Sequence, residues 1–266
     1  MFIGREPELK KLQEFLARNI AGLIVVCGRR RVGKSTLIEH FAKSCRFLEL
    51  YGLAPREGLT MQDQLDHFGE LLGLAFNMPP LKFDNWNGAL SMLAALTATG
   101  KIIILLDEIS WMAGSDKDFA GKLKGMWDTK FKKNPGLTLI LCGSVTSWIE
   151  ENILNDKGFV GRISLTLTLE EMPLKDANKF WGSRAVSAAE KCKILSVTGG
   201  IPRYLEEIRP EDSAEQNIKR LGFTEGGILV EEFDKIFQDI FGKRANSFKQ
   251  IVKVLANGSR EIGELC

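Results

Sequence analysis

GRRRVGKS, residues 28–35, stands between the apolar run GLIVVCG at 22–28 and a helical pattern running from about Lys34 to Lys43. The octapeptide fits G-x-x-x-x-G-K-[ST], in the strand, loop and helix setting that gives this pattern its meaning. Glycines let backbone N–H groups converge on phosphate oxygens, and the helix start adds partial positive charge. Lys34 reaches the outer phosphates, and the Ser35 hydroxyl can ligate Mg²⁺. The competing reading is a chance glycine-rich turn before a helix, and the presence of both flanking elements argues against it. The pattern implies a nucleoside triphosphate, ATP or ADP, with Mg²⁺. The expected binding set is Gly28, Arg31, Val32, Gly33, Lys34, Ser35 and Thr36, with Lys34 also catalytic and Ser35 also on the metal. Three consecutive arginines cannot all face one ligand. One of Arg29, Arg30 and Arg31 is expected on phosphate or a partner, the others in solvent.

The strand run before this loop belongs to a longer rhythm. Short apolar runs alternate with helical patterns: RFLELYG at 46–52, helices over 63–74 and 88–99, KIIILLDE at 101–108, LTLILCGS at 137–144 and ISLTLTL at 163–169. Such alternation predicts an α/β fold, a parallel sheet sandwiched by helices. The unbroken hydrophobicity of 102–106 and 137–142 marks central strands buried on both faces, whereas the alternation of ISLTLTL suits an edge. After Pro173 only helical periodicity remains, over 174–181, 185–197, 202–208, 214–221 and 230–241. The expected division is a P-loop core at 1–170, an all-helical lid at 171–222, and a linker helix at 223–266 running into an incomplete winged helix. There a helix containing Phe248, Ile251, Val252 and Leu255 stops at Asn257-Gly258, and Ser259 can cap another.

KIIILLDE carries the second half of the chemistry. Asp107 and Glu108 fall at the carboxyl end of a buried strand, the sheet edge where ligands sit in open α/β folds. Beside a phosphate loop, Asp107 is expected to hold Mg²⁺ and Glu108 to orient or deprotonate the attacking water. Without that loop, two acids merely ending a strand would be the better account. Ser144 ends LTLILCGS at the same edge, placed either to hydrogen-bond the water or terminal phosphate or to cap the helix expected at 145–152.

Composition narrows the setting. The 266 residues are 44% hydrophobic and 26% charged, which is globular, and 36 basic against 34 acidic side chains leave only +2. No global field therefore draws the chain to nucleic acid or lipid. Cys27, Cys45, Cys142, Cys192 and Cys266 are odd in number and far apart, without a C-x-x-C pair. That disfavours a disulfide framework or zinc site and suggests buried reduced thiols. With neither a cleavable signal nor an apolar run of membrane-spanning length, the expected location is the cytoplasm, with no membrane partner. KLKGMWDTKFKK at 122–133 is basic, but Leu123, Met126, Trp127 and Phe131 at helical spacing make it a helix packed on the sheet rather than a nucleic-acid stripe.

FIGREPE at 2–8, GRRRVGKST, IIILLDE, LILCGS, GFVGR at 158–162 and TGGIPRYL at 198–205 occur in this order. Together they resemble the archaeal-type ATPase family of the STAND class, P-loop relatives of AAA+ proteins that act as nucleotide-controlled switches. The resemblance runs from Phe2 to Cys266. It implies that Phe2, Ile3, Gly4 and Arg5 pack against adenine and ribose, that Gly200, Ile201 and Pro202 close over the base, and that Arg162 senses the γ-phosphate in cis or across a subunit contact. Each has a plainer alternative. Pro7 with Glu6 and Glu8 makes a helix start, Gly199-Gly200 before Pro202 ends one helix and begins the next, and Arg162 can be a surface arginine opening an edge strand. Where many relatives carry Gln two residues beyond the paired acids, Ser110 stands here. Relatives continue into a complete winged helix and often a further domain, so the chain reads as a truncated or a short form.

The expected activity is therefore an ATP-hydrolysing switch that couples nucleotide state to lid and C-terminal position, with possible ATP-dependent homo-oligomers and a DNA or protein partner through the winged-helix region. The alternatives are a DNA-associated ATPase, a P-loop kinase, and an ADP-locked interaction module with little turnover.

Overall fold

The structure is a computed structural model that describes residues 2–144, 147–233 and 244–261. The expected strands form one five-stranded sheet in the order β2-β3-β4-β1-β5, with every described pairing parallel. They are β1 (Gly22–Gly28), β2 (Phe47–Tyr51), β3 (Ile102–Asp107), β4 (Leu137–Ser144) and β5 (Ile163–Leu169). Their hydrophobic patterns explain the order. β1 and β3 are buried along their whole length, and β4 is buried until its last residue. β5 alternates between exposed and buried positions only in part, and it lies at an edge as its sequence suggests.

Two apolar layers enclose the sheet. On one face α1 (Glu6–Leu16) and α2 (Lys34–Ala42) bring Leu12, Phe15, Leu37, Ile38 and Phe41 onto Ile24, Val26, Ile103, Leu105 and Ile140. On the other, α3 (Met61–Ala75), α4 (Trp86–Leu96), the short α5 (Ile109–Ala113) and α6 (Phe119–Thr129) bury Phe68, Trp86, Leu93, Met112, Phe119 and Leu123. Burying a side chain of this kind contributes about 1.5–3 kcal/mol, so these two layers dominate what holds the sheet. Local signals set the helix starts. Thr60 and Asp63 form a reciprocal capping box on α3, and the Asn85 side chain accepts the Gly88 N–H on α4. The basic 122–133 segment follows its apolar reading, with Leu123, Trp127 and Phe131 buried.

The described chain divides into two compact units at Glu170/Glu171. The second unit is helical and buries Met172, Ala177, Trp181, Ile194, Leu205, Ile208 and Ala214 together. Its helices at Ala188–Thr198 and Ala214–Gly222 are capped by Ser187 and Ser213. The segment expected as one helix over 174–181 tightens into a 3₁₀ turn at Asn178–Trp181, and the helix at Pro202–Leu205 is shorter than expected. Residues 228–233 are helical, and a further helix covers Ala245–Leu255. The rest of the expected 230–241 helix lies outside the described residues, as do residues 262–266 of the helix expected after Ser259, whose residues 259–261 are not helical.

Two expectations need correction. The thiols are not uniformly buried. Cys27 and Cys142 are, but Cys45 is half-buried and Cys192 exposed, because the helix carrying Cys192 turns that position to solvent; Cys266 lies outside the described residues. The helix expected at 145–152 differs in its second half and in where it ends. Residues Ser147–Ile149 are α-helical and Glu150–Leu154 widen into a π turn, with Val145 and Thr146 outside the described residues.

Gly200 shows what a glycine can be for. The Met172 N–H donates to the Gly200 carbonyl at 2.7 Å, the Gly200 N–H donates to Glu171 Oε2 at 3.2 Å, and a Cβ on Gly200 would overlap the Met172 carbonyl. Gly200→Ala is expected to destabilise the helical unit by about 1–3 kcal/mol, the cost of an overpacked contact with backbone. Thermal unfolding of the full chain measures this, and an unchanged midpoint would show that residues 171–172 yield freely.

Candidate active site

Because every strand is parallel, the carboxyl ends of β1, β3 and β4 share one edge of the sheet. β4 runs between the other two, and its register sets Ser144 level with Gly28. The loop leaving β1 turns sharply there. Gly33 takes φ 89° and Arg31 φ 68°, and a side chain at Gly28 would run into the Leu169 carbonyl of β5. The glycines at both ends of the motif thus answer to backbone demands of this turn, and α2 begins directly at Lys34 with its N-terminal N–H groups at the loop.

Lys34 is buried, and its ammonium donates to the carbonyls of Gly28 at 3.0 Å and Arg29 at 3.2 Å. Ser35 Oγ donates to Asp107 Oδ2 at 2.6 Å, across 72 residues of sequence. The other Asp107 oxygen accepts the Glu108 N–H at 2.9 Å. The loop hydroxyl and the strand acid, found separately in the sequence, therefore meet. Glu108 itself takes φ 47° and ψ 50°, the left-handed region that costs a non-glycine residue roughly 1–3 kcal/mol. Its carbonyl accepts the N–H groups of Trp111 at 2.8 Å and Met112 at 3.1 Å.

An acid that sequence reasoning passed over also lies here. Glu49 on β2 is two residues before Tyr51, which pairs with Asp107. Burial, and then the neighbouring Asp107 and Glu39 carboxylates, push Glu49 above the ordinary carboxylate range. The signal was present as a charged residue inside the apolar strand FLELY. Burial likewise pushes the Cys142 thiol well up, with the Asp107 charge adding to it, so this cysteine stays protonated beneath the site.

The other expected residues lie in varied settings. Val32 is fully buried in the core, and Thr36 is exposed on α2. Phe2 stacks on His40 of α2, ring centroids 4.1 Å apart and planes 5° from parallel. Ile3 is half-buried beside it. Gly4 and Arg5 both adopt left-handed backbone, φ 69° and 66°. The Arg5 guanidinium is buried and donates to the carbonyls of Val32 at 3.0 Å and Glu170 at 2.6 Å, with Glu8 Oε1 at 3.2 Å. It therefore supports the phosphate loop from behind. Gly200, Ile201 and Pro202 lie in the helical unit, where Ile201 is buried and Pro202 opens a helix.

Arg162 is the one residue that geometry removes from part of its expected role. It precedes Ile163, which pairs with Leu23 at the start of β1, whereas the phosphate loop leaves the far end at Gly28, paired with Leu169. At about 3.3 Å per residue those six steps along β5 separate them by roughly 20 Å. A contact to the γ-phosphate in cis is excluded on that ground. Its guanidinium instead grips Asp128 of α6, Nε to both carboxylate oxygens at 2.9 Å. Those hydrogen bonds hold the Asp128 carboxyl below its usual range.

The donor set suits a small hard cation. Ser35 Oγ and Asp107 offer neutral and anionic oxygens 2.6 Å apart, and no cage of three or more His, Cys, Asp or Glu side chains occurs among the described residues. A cation held by two protein oxygens, completed by phosphate and water, is the coordination Mg²⁺ favours.

Among the described residues no helix is long and apolar enough to cross a membrane. A Methanocaldococcus jannaschii protein of uncharacterised function is 29% identical over 269 residues, covering 100% of this chain and 56% of the relative. The chain thus spans little more than half the length of that relative. Among solved structures, a Walker-type ATPase of Pyrococcus abyssi superposes with TM-score 0.58 at 17% identity, covering 96% of this chain and 77% of that one. The RuvB Holliday junction branch migration motor of Thermotoga maritima gives 0.56 at 16% identity, covering 99% and 81%. At such identities the superpositions speak for the fold, an α/β P-loop architecture. Residues 2–208, well over half of the chain, match the family model described as an ATPase domain predominantly from Archaea. The phosphate loop, its paired acids and the sheet that joins them are this domain's, and the chain belongs to that ATPase family.

Proposed function

We propose that this chain binds and hydrolyses ATP with Mg²⁺ and works as a switch of the STAND type. The observation that carries the reading is the 2.6 Å hydrogen bond from Ser35 to Asp107, which unites the two halves of a phosphate and metal site. Lys34 and the backbone N–H groups of residues 28–36 hold the phosphates, with Arg31 beside them. Ser35 and Asp107 hold Mg²⁺, which when bound neutralises charge on the phosphate oxygens. Glu108 takes a proton from the attacking water, and Ser144, level with Gly28, orients that water or the terminal phosphate. Arg5 acts through the loop it supports, while Phe2, Ile3 and Gly4 line the base side. The family match reaches residue 208 and so includes Gly200, Ile201 and Pro202, which supports assigning them to the base. Nucleotide state then controls the position of residues 171–222 and of the C-terminal segment beyond them. Arg162, at the far end of the sheet, serves a neighbouring copy in an ATP-dependent assembly.

Nucleotide titration and phosphate release by the purified chain test this, with Lys34→Ala alongside. Lys34→Ala is expected to lower affinity and turnover together by about 100-fold, since it removes a charge aimed at transition-state oxygens. A wild type that binds neither ATP nor ADP would overturn the reading. Binding without turnover would favour an ADP-locked module, and strong stimulation by duplex DNA a DNA-associated ATPase.

A further inference from the structure

Arg30, the third residue of the phosphate loop, holds its guanidinium carbon 5.8 Å from the centroid of the Trp111 ring. Trp111 belongs to α5, whose Ile109, Met112 and Ala113 are buried in the core while Trp111 stays half-buried. Its backbone N–H donates to the Glu108 carbonyl at 2.8 Å. Gly52 packs against the same turn, since a Cβ there would lie 2.6 Å from the Met112 nitrogen and 2.9 Å from the Glu108 carbonyl oxygen. One residue thus touches the phosphate loop with its ring and Glu108 with its main chain. α5 has only five residues, too few to hold its own first turn without outside contacts, and that turn keeps Glu108 in left-handed backbone.

We propose that Arg30 and Trp111 are a positioning pair for ATP hydrolysis. The guanidinium resting against the indole ties the phosphate loop to the Glu108 turn. Closure of the loop on phosphates and placement of the Glu108 carboxylate then become one event. The proposal rests on the reading of Glu108 as the base. It explains why one arginine of three in a row sits beside an aromatic ring, and why a tryptophan lies three residues beyond the acid.

The test uses the full chain with MgATP, comparing Arg30→Ala, Trp111→Ala, their double variant, Arg30→Lys and Trp111→Phe for kcat, KM, nucleotide affinity and thermal midpoint. Each alanine variant is expected to lower kcat about 10-fold, because small misplacements of a catalytic group carry penalties of that order or more, with KM and affinity held within about twofold. The double variant should be no worse than either single one, and Lys and Phe should restore most of the rate. A rise in KM with kcat unchanged would make Arg30 a phosphate ligand and overturn the proposal. Effects that multiply in the double variant, or kcat unchanged in both singles, would overturn it too. Glu108→Gln separates the two readings. If it is inactive while the pair variants keep full rate, only the pairing fails; if it keeps full rate, the base assignment falls and the pairing with it. Should Trp111→Ala not fold, the Arg30 variants decide alone.

Discussion

Glu108→Gln is expected to reduce ATP turnover by about 10²–10⁴-fold, the usual contribution of a positioned general base, while nucleotide affinity stays within a few-fold of wild type. The substitution keeps size and shape and removes basicity. The backbone around residue 108 gives little reason for a binding defect. Its N–H is held by Asp107 and its carbonyl by Trp111 and Met112, none of which depends on the carboxylate. The left-handed conformation at Glu108 stores strain that these bonds maintain, and Gln tolerates that conformation no worse than Glu. Single-turnover hydrolysis with parallel binding curves separates the two effects. Equal loss of binding and turnover would move Glu108 from base to structural cap, and full activity would move the base elsewhere.

Arg5→Ala should show the largest effect on stability. The guanidinium is buried and bonded to the carbonyls of Val32 and Glu170, which join the phosphate loop to the end of β5. Hydrogen bonds from a charged donor contribute about 1.5–3 kcal/mol each. The expected loss is therefore about 3 kcal/mol or more, roughly 6–12 °C in the unfolding midpoint for a chain of this size. Affinity for nucleotide should fall as a secondary result, because Val32 is part of the loop. Arg5→Lys should recover little, since a point charge on a flexible stem cannot serve two carbonyls as a planar fork does. Calorimetry without nucleotide decides the matter. An unchanged midpoint with lost affinity would return Arg5 to the ribose contact that the family resemblance implies.

These two residues show what was legible in the sequence. The sheet could be read because strand burial is a one-dimensional pattern: IIILL and LTLILC are uninterrupted, and ISLTLTL is not. The phosphate loop and paired acids could be read because their spacing carries chemistry. Neither pattern could reveal which atoms a long side chain meets after folding. Gly4-Arg5 looks alike whether the arginine faces a ribose or the carbonyl of Glu170. Arg162 poses the same difficulty, since only the strand register shows that it lies at the opposite end of the sheet from Gly28. The π turn at Glu150–Leu154 leaves no mark in local propensity, because it reflects how Ile149 and Ile153 reach the core. Glu49 was the available clue left unused, a charge in a strand otherwise apolar.

The bond from Arg5 to Glu170 spans 165 residues, and this has a consequence for the order in which the protein matures during synthesis. β1 and the phosphate loop leave the ribosome early, but both strands that flank β1 come from the far half of the first unit, at residues 137–144 and 163–169. A nascent chain carries the whole GRRRVGKS loop long before it carries the carbonyl that anchors the arginine beneath it. The loop is thus among the first parts of the site to be made and among the last to be anchored.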